Sequence, residues 1–283
     1  MYVLIAYGLA SLVYGSMLAS GGREPTRPLG ILLNWAPGIA ALITALITQR
    51  NLRGFGWGWG KSRYHLLAWA VPVGIFTLTY ALIWLTGLGG FYDEAHVAQV
   101  AGEMGLVDSS PYLVIMLLFA VQLTAGLLVH ALFSIGEEIG WRGWLVPLLA
   151  HRYSFTYTAL ISGIIWMIFH YPLFLFLGEA KDNIPLWYQL LNITIQGTAI
   201  SLIVAWLRLK SGSLWPALWL HATTNSLQQS VFEPLTYDTG WTAYVSDWTG
   251  GALTITWVIV AYLFWHKRDS LPQTQIYQGL RNK

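Results

Sequence analysis

None of Asp, Glu, Lys or Arg occurs from Ser109 to Gly136, and the same holds from Tyr64 to Tyr92, Tyr153 to Gly178, Asn183 to Leu207 and Ser211 to Phe232. Uncharged runs of this length are foreign to a water-soluble fold, which carries about 25% charged residues; this chain carries 10% over its 283 residues. A helix needs about 20 apolar residues to cross a hydrocarbon core of ~30 Å. The pattern therefore predicts membrane-spanning helices near residues 1–20, 31–48, 64–88, 113–136, 155–177, 187–207, 214–231 and 249–266, eight in all. The first has no basic segment before it and is longer than the apolar core of a signal peptide, so it reads as a span. No polar linker divides the chain, which predicts one membrane domain over 1–283 in an all-α, polytopic bundle. The absence of cysteine excludes a disulfide scaffold, a thiolate zinc site and a cysteine nucleophile. A formal charge of +2 gives no footing for nucleic acid.

The connections between spans alternate in sign. Arg50, Arg53, Lys61 and Arg63 separate spans two and three; Arg152 follows the fourth, Arg208 and Lys210 the sixth, and Lys267, Arg268, Arg281 and Lys283 the eighth. The other connections hold Glu24, Asp93, Glu94, Glu103, Asp108, Glu179, Asp182, Glu233, Asp238 and Asp247, against Arg23, Arg27 and Lys181. Because basic loops are retained in the cytoplasm, this predicts a multi-pass protein of a prokaryotic plasma membrane with both termini cytoplasmic. Trp35, Trp57, Trp59, Trp187, Trp215, Trp248 and Trp265 fall near span ends, where indoles anchor in the headgroup zone. The run Gly54–Gly60 lacks the Lys-Ser/Thr of a phosphate loop and reads as a flexible cytoplasmic connection. The acidic stretch 89–110 reads as external, with a short surface helix.

With the external acids and Asp269 set aside, Glu137 and Glu138 remain, at the end of an apolar run. A central ionised residue costs on the order of 3 kcal/mol on insertion scales, so such an acid points to function. Adjacent helical residues diverge by about 100°, so the two cannot share one task. Glu138 precedes Arg142 by four residues, the favoured order for a helical ion pair. Glu137 has no such local cation and is left to act as a base.

Two further polar pairs lie in apolar runs at i and i+4: Trp166 with His170 and His221 with Asn225. Each pair shares one helical face. His130, two turns before Glu137, reads as a packed structural histidine. Glu137, His170, His221 and Asn225 form an inventory for water attack on an amide: a base, a partner for water or leaving group, and donors for an oxyanion. The same residue types also suit a zinc site on Glu137, His170 and His221 with water as fourth ligand. Residue types alone leave both open. No His-Glu-x-x-His motif is present, and Ser134 lacks a Gly-x-Ser-x-Gly elbow.

Glu137-Glu138-x-x-x-Arg142, then Trp166-x-x-x-His170 followed by Pro172, then His221-x-x-x-Asn225 resembles the CPBP (ABI) family, the CaaX prenyl proteases and bacteriocin-processing enzymes among intramembrane glutamic endopeptidases, type II CaaX endopeptidases in particular. The family more often has Phe where Trp166 stands. The resemblance covers about 110–232, implying a catalytic core there with the helices of 1–88 accessory. It implies that Glu137 activates water with help from His170, that His221 and Asn225 form the oxyanion hole, and that Glu138 and Arg142 hold the active-site helix. It further implies an intramembrane cavity, expected to open to the cytoplasmic leaflet, with no cofactor. The implied partners are membrane lipids and a peptide or lipidated-protein substrate, prenylated or otherwise membrane-associated. Readings from other classes are a non-catalytic immunity or peptide-binding protein and a proton-coupled transporter, although the paired repeats common in transporters are not found.

Overall fold

The computed structural model describes residues 1–21 and 27–272. Of the charges in the alternating pattern, Arg23, Glu24, Arg281, Lys283 and the side chain of Arg27 lie outside the described residues. The chain forms α1 (Tyr2–Ala19), α2 (Arg27–Thr48), α3 (Ser62–Leu85), α4 (Glu94–Met104), α5 (Pro111–Ala150), α6 (Phe155–Phe176), α7 (Leu186–Ser211), α8 (Trp215–Leu227) and α9 (Gly251–His266). One antiparallel pairing, Gly90–Phe91 against Thr236–Tyr237, joins two connections at one end of the bundle. The protein is thus an all-α, polytopic membrane protein.

Helices occupy all eight predicted places. Six of them, α1, α2, α3, α5, α6 and α7, are long and apolar enough to cross a membrane. The other two are shorter: α9 has 16 residues, and α8 has 13 before a π turn at Gln228–Phe232. The lower apolarity of α8 has a plain cause, because His221, Thr223, Thr224 and Ser226 are buried within the bundle, where polar side chains find partners that lipid cannot offer. The expected surface helix is α4, capped by Asp93, which accepts from the His96 amide at 2.8 Å, and ended by left-handed Gly105.

The long helix α5 sets up the centre of the molecule. Pro111 starts it at a position needing no amide donor, and π turns at Gln122–Gly126 and Ile139–Leu145 interrupt it. Such turns often mark functional sites, and the second begins directly after Glu138. Helix α2 crosses here in backbone contact. A Cβ on Gly136 would lie 2.7 Å from the Asn34 carbonyl oxygen, and one on Gly140 2.5 Å from the Pro37 carbonyl carbon. The Gly136-x-x-x-Gly140 spacing is what permits this approach, and it carries Glu137 and Glu138 inward. Helix α1 is fastened to α6 by Tyr7 Oη donating to the Ile165 carbonyl at 2.5 Å and Tyr14 Oη to the Phe169 carbonyl at 2.7 Å.

The glycine-rich run is not the slack connection expected. Phe55 is buried, stacked on Trp57 at 5.4 Å and packed on Trp144 at 5.6 Å between centroids. The Leu214 amide donates to the Gly56 carbonyl, the Trp215 indole to the Trp57 carbonyl, and Arg208 to the Gly54 carbonyl. Gly56, at φ 83°, would put a Cβ 2.8 Å from the Arg208 guanidinium carbon. Glycine here allows the loop to close over that side chain.

Candidate active site

Glu138 is fully buried and anchored twice: its Oε1 accepts from Arg142 Nη1 and from His221 Nδ1, each at 2.8 Å. The predicted ion pair is present, and it also fixes the histidine of α8. The Arg142 guanidinium lies over the Trp166 ring at 4.1 Å, an arrangement that offsets part of its desolvation. The Arg142 carbonyl, inside the π turn, accepts from Arg208 Nε at 3.0 Å. Arg208 therefore belongs to this interior network as well as to the basic pattern.

Glu137 faces a different set of groups. Its Oε2 accepts from the Trp166 indole at 2.6 Å and from the Trp141 indole at 3.2 Å, and His170 Nε2 stands 4.0 Å away. His170 Nδ1 lies 2.9 Å from the Trp166 carbonyl oxygen. A carbonyl only accepts, so Nδ1 carries a proton, and the ring presents Nε2 toward Glu137. The second π-turn helix end, α5, thus presents two adjacent carboxylates in opposite roles, one locked to cations and one held by neutral donors.

Glu137, Trp166, His170, His221 and Asn225 line one cavity of about 220 Å³. All three motifs therefore meet at one place. Asn225 Nδ2 is 3.4 Å from Ser134 Oγ, and the Trp166 and His221 rings meet at 5.3 Å. His130 is not among the lining residues; its Nε2 contacts Ser230 Oγ at 3.3 Å. The cavity also takes in residues that the sequence reading gave no part in the site: Asn34 from α2, Gln229, Glu179 and Trp248. Trp248, expected as an interfacial anchor, is among these lining residues. Trp141 was missed too, although its spacing of four from Glu137 was a visible signal.

Of the residues named for zinc, His221 directs Nδ1 to Glu138, His170 directs Nδ1 to a backbone carbonyl, and Glu137 Oε2 accepts from two indoles. Among the described residues no three His, Asp or Glu side chains are grouped to hold an ion.

Residues 111–227 match the type II CAAX prenyl endopeptidase Rce1-like family. A curated relative, CAAX prenyl protease 2 of Methanococcus maripaludis, is 29% identical over 164 residues, which cover 56% of this chain and 55% of the relative. The match thus spans little more than half the length of that relative. The paired glutamates, the Trp166–His170 pair and the His221–Asn225 pair all fall within residues 111–227, the part of the chain that is similar to the Rce1-like type II CAAX prenyl endopeptidases.

Proposed function

We propose that the protein is an intramembrane endopeptidase in which Glu137 is the base. A water between Glu137 and His170 gives one proton to the carboxylate and donates its other hydrogen to His170 Nε2, and its oxygen adds to the peptide carbonyl carbon. Asn225 Nδ2–H and His221 hold the resulting oxyanion. The contact of His221 Nδ1 with Glu138 orients the ring for this. The proton on Glu137 passes to the leaving amine as the C–N bond breaks. Glu138 and Arg142 position α5 and α8, and residues about 110–232 form the catalytic core. The chemistry invokes no cofactor. The substrate is a membrane-associated protein, prenylated in keeping with what the names of the family and the relative describe.

The observation that carries this reading is the 4.0 Å separation of Glu137 Oε2 and His170 Nε2 at the wall of a cavity that His221 and Asn225 also line. The test is peptide cleavage by purified Glu137→Gln protein. Turnover is expected to disappear while the protein stays folded; full cleavage by this variant would end the proposal. Activity is also expected to survive strong chelation in protein shown to be metal-free, and loss on chelation would speak against a purely glutamic mechanism.

A further inference from the structure

His170 sits where its own helix is least able to hold it. Pro172, inside α6, has no amide to give the Ile168 carbonyl, and its ring crowds that same carbonyl. Trp166 and His170 project from the stretch that leads into this break. Two hydroxyls from another helix meet that stretch. Tyr7 Oη donates to the Ile165 carbonyl at 2.5 Å, and Tyr14 Oη donates to the Phe169 carbonyl at 2.7 Å. Each bond falls on the peptide plane directly before a site residue, because a carbonyl shares its plane with the amide that follows it: Ile165 with Trp166, and Phe169 with His170.

Both hydroxyls come from α1, which lies outside residues 111–227. Tyr2, Ala6, Ala10 and Tyr14 form a buried stripe along it at i, i+4 spacing, and Tyr7 flanks them half-buried. The two accepting carbonyls are four residues apart on α6, about 6 Å along its axis. A single bond would leave α6 free to turn about it; two bonds at that spacing do not. The rings back the same contact. Phe169, 2% exposed, packs on Tyr7 at 5.9 Å, Tyr14 at 6.4 Å and Trp141 at 5.5 Å between centroids. Tyr2 meets Trp141 edge-on at 5.9 Å, and the Trp141 indole donates to Glu137. Helix α1 therefore touches the supports of both groups that face the proposed water.

We infer that Tyr7 and Tyr14 are positioning residues for the reaction: their hydroxyls hold the Trp166–His170 turn of α6 at the separation from Glu137 that water activation needs. The inference rests on the endopeptidase reading and extends its machinery from the three motif-bearing helices to α1. Neither tyrosine is among the residues lining the cavity, so each acts through α6 and not on substrate. What they set is the 4.0 Å between Glu137 Oε2 and His170 Nε2 and the 2.6 Å bond from the Trp166 indole. A misplacement of about 1 Å can cost about 10²-fold in rate, so the loss in turnover should exceed any loss in folding.

The test uses the full chain with Tyr7→Phe, Tyr14→Phe and the two combined, which keep the rings and remove the hydroxyls. Tyr157→Phe, at an exposed tyrosine of α6, serves as the control. Peptide cleavage is measured per folded protein, below the unfolding temperature of every variant, and kcat is separated from KM. The double variant is expected to lose roughly 10- to 10²-fold in kcat with KM held within about twofold. Each single variant should lose a smaller share, and Tyr157→Phe should match wild type. Should the double variant not fold, the two single variants carry the test by the same split. An unchanged kcat in the folded variants would overturn the inference, and so would a raised KM with kcat intact, which would assign the tyrosines to substrate binding. Equal losses in Tyr157→Phe would overturn it as well, since any lost tyrosine hydroxyl would then suffice. Glu137→Gln, assayed alongside, separates the two claims: if it still cleaves, the catalytic reading fails; if it is inactive while the tyrosine variants cleave like wild type, the positioning inference fails alone.

Discussion

Two neighbouring glutamates on α5 differ in everything but residue type. Glu138 is fully buried with Arg142, which is 1% exposed, and shares its Oε1 with His221. Removing one partner of a buried pair strands the other charge at a cost of about 3–5 kcal/mol. Glu138→Gln is therefore expected to lower stability by that order, read as thermal unfolding in detergent. Adding Arg142→Met should restore part of the loss, because the stranded cation is gone; strictly additive effects would refute the coupling. Glu137 instead depends on two indole donors at 2.6 and 3.2 Å. Hydrogen bonds to a charged group contribute roughly 1.5–3 kcal/mol. Trp141→Phe with Trp166→Phe is expected to cut kcat by roughly 10²-fold with KM little changed, on the lower figure for each bond. Trp166→Phe alone should do less, since Trp141 still holds the carboxylate. An unchanged kcat in the double variant would show that packing alone orients Glu137.

The α2–α5 crossing governs where those side chains point. A methyl group at Gly136 would meet backbone atoms at 2.7 Å, whereas at Gly8 or Gly74 it meets nothing within 4 Å. Overpacking of this kind costs typically 1–3 kcal/mol. Gly136→Ala is expected to lose that much stability together with activity, while Gly74→Ala stays near wild type in both; equal effects at the two positions would remove the crossing from the explanation. This difference between glycines shows what was legible beforehand. Helical periodicity alone gave the helices and the i, i+4 pairs Glu138–Arg142, Trp166–His170 and His221–Asn225. It could not give the contact of Gly136 with Trp35, the π turn that frees the Arg142 carbonyl, or the seating of Phe55 under a glycine-rich loop. Those depend on which helices meet, and no spacing within one helix encodes that. The same limit hid the approach of Asn34, Glu179 and Trp248 to the cavity.

At the scale of the molecule, the connections that carry Lys181, Glu233 and Asp247 are tied together by one charged network. Lys181 Nζ lies 2.9 Å from Asp247 and 3.7 Å from Glu233, and Gln228 donates to Asp247 at 2.8 Å. Gln189 of α7 clasps the Lys181 backbone through its amide at 2.9 Å, and the Asp247 amide donates to Tyr80 of α3. Helices distant in sequence are thus held together at one rim of the bundle. Burial first, and then the Asp247 carboxylate, push the Glu233 carboxyl up to about 8 against the pull of Lys181. Burial alone would lower Lys181, but Asp247 and Glu233 outweigh it and raise its ammonium above the usual range. An acid raised in the fold binds its proton more tightly folded than unfolded, so stability falls as the pH climbs from about 4.3, the unfolded value, toward about 8. Because the Glu233 side chain is 38% exposed, water screens the effect, and it should stay at or below about 1 kcal/mol. Unfolding temperatures of wild type and Glu233→Gln at about pH 5 and about pH 8 read this directly, with the wild type declining over that interval and the variant holding steadier. Lys181→Met should steepen the decline, because the ionised carboxylates then face each other without a cation. Parallel pH profiles for all three proteins would show that the rim is held by its amide clasps and not by its charges.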